Sequence, residues 1–343
     1  MFLVFGKIIL LLAAILIVCL WFTNAVENLG VRLKLGEQVV GSLLAAIGTA
    51  LPETLLPIIA IMLAGVHSQG DPKTEIAIGS IIGAPFLLST LALFLLGLAV
   101  LVNYQKRKNL DLKVCHKHIT KDLSYFLLAL LVAVSATFFQ TQVNKTSFAV
   151  VLVAIYVIYF ITTLREGSEA AHDEAEDDVD QLYISSFSVA GFRLPSNLFW
   201  MIFQLFLSLA GIVVFAHEFI LEIEKASMAL NVSPLILSLI IAPIATELPE
   251  KVNSWFWASS GKDGLALGNI TGAMVFQSAI PCAVGVSLTP WNLDSHTIFC
   301  VILTILSASI MLFSLKVFKK VHAATLTFMG FLYLLYLVAI ILF

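Results

Sequence analysis

Ten long apolar runs dominate the chain, at roughly 2–23, 37–66, 75–102, 122–140, 146–164, 196–217, 232–257, 264–287, 296–317 and 323–342. A helix that crosses the hydrocarbon core of a bilayer needs about 20 such residues. Of the 343 residues, 60% are hydrophobic and only 12% are charged, against about half and about a quarter in soluble domains. A soluble fold cannot hide that much apolar surface, so the expected class is an all-α integral membrane protein with ten transmembrane helices. Several runs exceed the thickness of the bilayer, which implies tilt or local breaks. The first run, Phe2 to Phe22, is too long for a signal-peptide core and lacks a small-residue cleavage site, so it is read as a true first span.

The basic residues orient this array. Fourteen of the nineteen Lys and Arg fall in the loops after the odd-numbered spans, four fall on the other side, and Lys251 lies within the seventh span. Cytoplasmic loops carry that excess, so the odd loops are expected in the cytoplasm and both termini outside. The compact plan, with no separate soluble domain, points to a prokaryotic cell (inner) membrane. The net charge of −3 gives no sign of a nucleic-acid partner; the expected partners are inorganic cations and the lipid bilayer. Cys19, Cys115, Cys282 and Cys300 are far apart, which argues against a disulfide framework. Cys115-His116-Lys117-His118 has faint metal-tract character but reads first as a basic loop. No resident cofactor is expected.

A loop rich in Asp and Glu divides the chain into 1–165, a first five-helix repeat, 166–195, an acidic cytoplasmic linker, and 196–343, a second five-helix repeat. The halves are related. At an offset of 197, Leu33–Glu53 (LKLGEQVVGSLLAAIGTALPE) aligns without a gap on Leu230–Glu250 (LNVSPLILSLIIAPIATELPE), with Ala45/Ala242, Ile47/Ile244, Thr49/Thr246, Leu51/Leu248, Pro52/Pro249 and Glu53/Glu250 identical. EIAIGSIIGA from Glu75 likewise resembles GLALGNITGA from Gly264. Spans 2 and 7 are five crossings apart, so they run in opposite directions. Inverted halves are the plan of secondary transporters, with the site at the midplane where the halves meet.

Each repeat sets a Thr-x-Leu-Pro-Glu element inside an apolar span. A proline removes a donor from the carbonyl four residues earlier, so Pro52 with Gly48, and Pro249 with Ala245, are expected to break their helices and free carbonyl oxygens. Glu53 and Glu250 come next, and an ionisable residue at this depth is a functional candidate by default. Thr49 and Thr246 lie one turn before them on the same face. Hydroxyls, carboxylates and freed carbonyls make the oxygen set that hard cations take. Glu247, whose repeat counterpart is Ala50, lies three residues before Glu250. Two carboxylates so close repel unless a cation or a proton sits between them, which makes Glu247 a third expected ligand and a route to proton coupling. In span 8, Asn269, Thr271 and Gln277 are the polar residues available to help, Asn269 as a further ligand, or to bond neighbouring helices.

GTALPE, ATELPE and LALGNITGA together resemble the two alpha-repeats of the cation/calcium exchanger superfamily, which includes the sodium/calcium exchangers. The resemblance covers both repeats and the five-plus-five plan. It implies Glu53 and Glu250 as central calcium ligands, Thr49 and Thr246 as contributors, and spans 1 and 6 as elements that slide to switch access. The chain departs from the family pattern where spans 3 and 8 usually carry Gly-Ser-Asn or Gly-Ser-Asp: here stand Gly83-Ala84-Pro85 and Gly272-Ala273-Met274. The implied function is a secondary active cation antiporter that exports Ca2+ in exchange for H+ or Na+ by alternating access, with those ions as substrates. Alternatives are the same fold exchanging Mn2+, Mg2+ or Na+ for H+, and a cation channel. An intramembrane enzyme is disfavoured, since neither HExxH nor GxGD occurs.

Overall fold

The computed structural model describes residues 2–32, 45–139, 141–170, 182–186, 188–189, 192–193 and 197–342. These residues form ten long helical segments: α1 (Phe2–Arg32), α2 (Ala45–Ala64), α3 (Pro72–Val102), α4 (His116–Ser135), α5 (Gln142–Ala170), α6 (Leu198–Leu230), α7 (Pro234–Ser259), α8 (Asp263–Leu288), α9 (Ser295–Phe318) and α10 (Ala323–Leu342). Among the described residues, eight are long and apolar enough to cross a membrane, and α2 and α7 carry the shorter apolar stretches Glu53–Ala64 and Pro234–Ile244. In α7 that stretch ends just before Glu247, Glu250 and Lys251. The side chains of α2 are described only from Glu53 onward.

Helix starts follow local chemistry. Asp71 accepts the amide of Lys73 at 2.8 Å and is followed by Pro72; Ser233 accepts that of Leu235 at 3.2 Å and is followed by Pro234. A capping oxygen satisfies an orphan N–H, and proline at the first helical position gives up a donor that had no partner. The two starts are brought together: the Ser233 hydroxyl donates to Glu75 at 3.2 Å. From there α3 and α7 run backbone against backbone. A Cβ added at Gly79 would overlap Ser238 Oγ and the Leu235 carbonyl, and one at Gly83 would overlap the Leu239 carbonyl. The Gly79-x-x-x-Gly83 spacing is the small-residue contact that lets membrane helices approach closely.

Most of the described apolar interior falls into one large cluster, built from α3–α5 and α7–α10, and a smaller one in which α1, α2 and α6 pack on α3 and α7. Here α1 packs chiefly on α6. Two polar clamps close the large unit on the side of the basic loops. Arg107 makes a two-pronged ion pair with Asp263 at the start of α8, both contacts at 2.8 Å, and it also donates to the Ala258 carbonyl. The short strands β1 (Asp111–Leu112) and, after β2 (Ser188–Val189) and β3 (Phe192–Arg193), β4 (Val321–His322) join the loop after α3 to the loop after α9: β1 and β4 pair antiparallel, Asp111 with His322 and Leu112 with Val321. A hydrogen bond from Lys320 to Asp111, and then that carboxylate's charge, hold the lysine above its ordinary pKa.

One expectation needs correction. Helices α2 and α7 run uninterrupted through Pro52 and Pro249, so the breaks expected at Gly48–Pro52 and Ala245–Pro249 do not form. The φ of proline suits a helix, and the loss of one donor does not by itself unwind it. The irregular turn lies instead at Leu88–Ala92 in α3, three residues beyond Pro85, where the backbone widens to a π-turn. Local hydroxyls take up its carbonyls there: Ser89 and Thr90 donate to Phe86, and Ser307 of α9 donates to the carbonyl of Ser89. Most of the 166–195 linker lies outside the described residues, but its Leu182 and Ile184 are buried against Met201 and Trp200. The amides of Tyr183 and Ile184 donate to Asn24 of α1 at 2.9 Å and to Gln204 of α6 at 2.8 Å.

Candidate cation site

The second repeat motif can be followed along α7. Thr246 is buried, and its hydroxyl donates to the Ala242 carbonyl of its own helix at 3.3 Å. Such back-bonding satisfies a hydroxyl inside a membrane helix. Glu247 is 1% exposed. One of its carboxylate oxygens accepts from the Gln277 amide of α8 at 2.7 Å, and the other lies 3.7 Å from the ammonium of Lys251, one turn further along α7. Lys251 is equally buried and approaches the amide oxygen of Asn269 at 3.5 Å. Glu250 belongs to the same helix, and its side chain lies outside the described residues.

In the first repeat, Glu53 is 7% exposed and both of its carboxylate oxygens are buried. Gly48, Thr49 and Pro52 lie on α2, with side chains outside the described residues. Two of the span 8 residues therefore meet α7: Gln277 holds Glu247, and Asn269 holds Lys251. Thr271 turns elsewhere. Its hydroxyl donates at 2.6 Å to Asp122, a buried carboxylate of α4, which also accepts from Tyr159 of α5 at 3.1 Å. Pro85 and Met274, which stand where the family carries polar residues, are both buried. Met274 offers only a thioether, a poor partner for a hard cation.

Sequence reasoning missed two of these groups. Along the chain Lys251 stands out only as the basic residue that belongs to neither side of the membrane. A lysine one residue after the motif glutamate and one turn after Glu247 was the available signal. Asp122 stands at the start of the fourth apolar run, 122–140, and nothing along the chain sets it apart. Lys251 sets a positive charge beside Glu247.

The sodium/calcium exchanger protein family matches residues 3–165 and 200–342. The chain is 26% identical over 298 residues to an uncharacterized membrane protein of Methanocaldococcus jannaschii, which covers 86% of this chain and 84% of that one. It is 22% identical over 334 residues to the putative antiporter CaxA of Alkalimonas amylolytica, which covers 94% and 96%. Among solved structures, the H+/Ca2+ exchanger CAX superposes with a TM-score of 0.71 at 17% identity, over 99% of this chain and 82% of that one. The sodium-calcium exchanger NCX_Mj gives 0.56 at 22% identity, over 98% of each. Both parts of the chain that carry the Thr-x-Leu-Pro-Glu elements fall inside the family match, and the chain accordingly belongs to the sodium/calcium exchanger protein family, as an integral multi-pass secondary transporter that exchanges cations.

Proposed function

We propose that this antiporter exports Ca2+ in exchange for H+ or Na+ by alternating access, with Glu53 and Glu250 as the central ligands of the transported ion. Thr49 and Thr246 contribute oxygens through side chain or backbone, Glu247 supplies a third carboxylate, and Asn269 an amide oxygen. The observation that carries this reading is the burial of Glu53, a carboxylate deep in the helix bundle at the position that the repeat equates with Glu250. An ionisable side chain kept at that depth marks an ion pathway by default, and a carboxylate there is a ligand suited to a cation that comes and goes. The same reading takes the chain as ten spans in two inverted halves, 1–165 and 196–343. The 166–195 linker is cytoplasmic, both termini are outside, and the membrane is that of a prokaryotic cell.

A second reading keeps the site and changes the ion to Mn2+, Mg2+ or Na+ exchanged for H+. It is favoured by the loss of oxygen ligands at Pro85 and Met274. The channel reading is set aside, since the family is one of exchangers. The experiment is uptake of each cation by vesicles carrying the purified protein, under a sodium gradient and a pH gradient applied separately. Gradient-driven Ca2+ uptake supports the first reading. Uptake of another cation with none of Ca2+ supports the second, and no gradient-driven uptake of any cation contradicts both.

A further inference from the structure

Lys251 places a positive charge among residues read as ion ligands. Its side chain and that of Glu247 are each 1% exposed. Its ammonium lies 3.7 Å from Glu247 Oε2 and 3.5 Å from Asn269 Oδ1. It bridges two of the residues assigned above to the transported cation.

The internal repeat sets this pair apart. At the offset of 197, Glu247 corresponds to Ala50 and Lys251 corresponds to Thr54. The second half thus carries one extra negative and one extra positive charge, four residues apart and in contact. The two additions cancel. Glu53 and Glu250 alone give the site a charge of −2, and with Glu247 and Lys251 added it is still −2. That charge is matched by one divalent cation or by two monovalent ones. Without the lysine, Glu247 would raise the demand to −3 and draw a further cation from solution. An ammonium on a lysine stem cannot be released, so it fills that demand in every step of the cycle.

We propose that the Lys251 ammonium is a tethered cation of the translocation site, a specificity-determining group that neutralises Glu247 and holds the exchange to one divalent ion for two monovalent ions with no net charge moved. The proposal rests on the reading of Glu53 and Glu250 as ligands. It assigns the pair a role in coupling: the carboxylate adds an oxygen to the site without adding to the number of ions carried. Lysine suits this task because its charge is a compact point with three donors, able to turn from one oxygen to another.

The test uses the full chain in sealed vesicles, with Ca2+ uptake driven by a sodium or a pH gradient. The membrane potential is either clamped at zero with potassium and valinomycin or set strongly negative inside. The wild type is expected to take up Ca2+ at the same rate at both potentials. Lys251→Thr leaves Glu247 buried without its counter-charge, and transport should fall by about tenfold or more or become sensitive to potential. The double variant Glu247→Ala/Lys251→Thr, which gives both halves the same residues and keeps the site at −2, is expected to exchange more slowly than the wild type, for want of the Glu247 oxygen, but again without response to potential. If the single variant fails to insert, that is the expected effect of an unpaired buried carboxylate, and recovery in the double variant decides the matter. Wild-type exchange that responds to potential overturns the proposal alone. So does a Lys251→Thr protein that matches the wild type in rate and insensitivity, or a double variant that regains no exchange or whose exchange responds to potential. Wild-type vesicles that take up no cation under either gradient overturn the proposed function, and this inference with it.

Discussion

The carboxylate of Asp122 on α4 accepts the hydroxyl of Thr271 on α8 at 2.6 Å and that of Tyr159 on α5 at 3.1 Å, so that one buried group ties three helices together. Truncation to alanine leaves two hydroxyls to find new partners in an apolar interior. Asp122→Ala should lose about 1–3 kcal/mol for each hydroxyl stranded, and Asp122→Asn, which keeps an acceptor, should lose less. Thermal unfolding in detergent gives the order wild type, Asn, Ala from most to least stable. Coincident melting of wild type and Ala would show that the three-helix tie carries no stability.

The Arg107–Asp263 pair is the corresponding tie between the end of α3 and the start of α8. Its side chains are 7% and 1% exposed, and Asp263 also accepts the backbone amide of Lys113 at 2.8 Å. Removal of one member of a buried pair strands the other, a loss of about 3–5 kcal/mol. Arg107→Met should therefore melt well below wild type, and the double change Arg107→Met/Asp263→Leu should recover much of the difference. The melting curves of the three proteins settle this, and a single variant as stable as its parent would contradict it.

What the sequence made legible was whatever repeats with a fixed period or a fixed offset. The apolar runs, set against the length of a span, marked where the helices lie. The 197-residue offset brought out Glu53 and Glu250, because two symmetric departures from apolar character cannot be lost in a single hydropathy profile. The misses share one physical origin, which is tertiary partnership. Lys251 and Asp122 each look like ordinary charged residues along the chain and become buried only through Glu247 and Asn269 in one case, Thr271 and Tyr159 in the other. The expected breaks at Pro52 and Pro249 failed for a related reason. Proline removes one hydrogen bond, and whether a helix then opens depends on what else can take the freed carbonyl. At Leu88–Ala92, beyond Pro85, the turn widens, and hydroxyls of Ser89, Thr90 and Ser307 take up the carbonyls of Phe86 and Ser89.

Gly83 lies where α3 meets the Leu239 carbonyl of α7, with no space for a Cβ. Gly83→Ala should force the helices apart and lose about 1–3 kcal/mol, and Gly83→Val should lose more. Both should reduce transport, since Pro85 and the π-turn follow within one to two turns on the same helix. Stability in detergent and uptake in vesicles are the measurements. Full stability and full uptake in Gly83→Val would mean that close approach of α3 and α7 is unnecessary.

The linker divides into a replaceable part and a docked part. Ser168–Asp180 is polar and acidic, a composition that cannot build a core. Its replacement by a neutral flexible segment should leave basal transport at the wild-type rate. Ile184→Asp is expected to do the opposite. It sets a charge against Leu182 and Met201, where the segment docks on α1 and α6. Loss of transport from the first change in a correctly inserted protein, or normal transport with the second, would reverse this division.

The central claim is that Glu53 and Glu250 together hold the transported ion, and it is tested most directly by charge removal at constant size. Gradient-driven Ca2+ uptake by reconstituted vesicles should be abolished or severely reduced in both Glu53→Gln and Glu250→Gln, in proteins that insert and melt like the wild type. Wild-type rates of Ca2+ uptake in both variants would contradict the account.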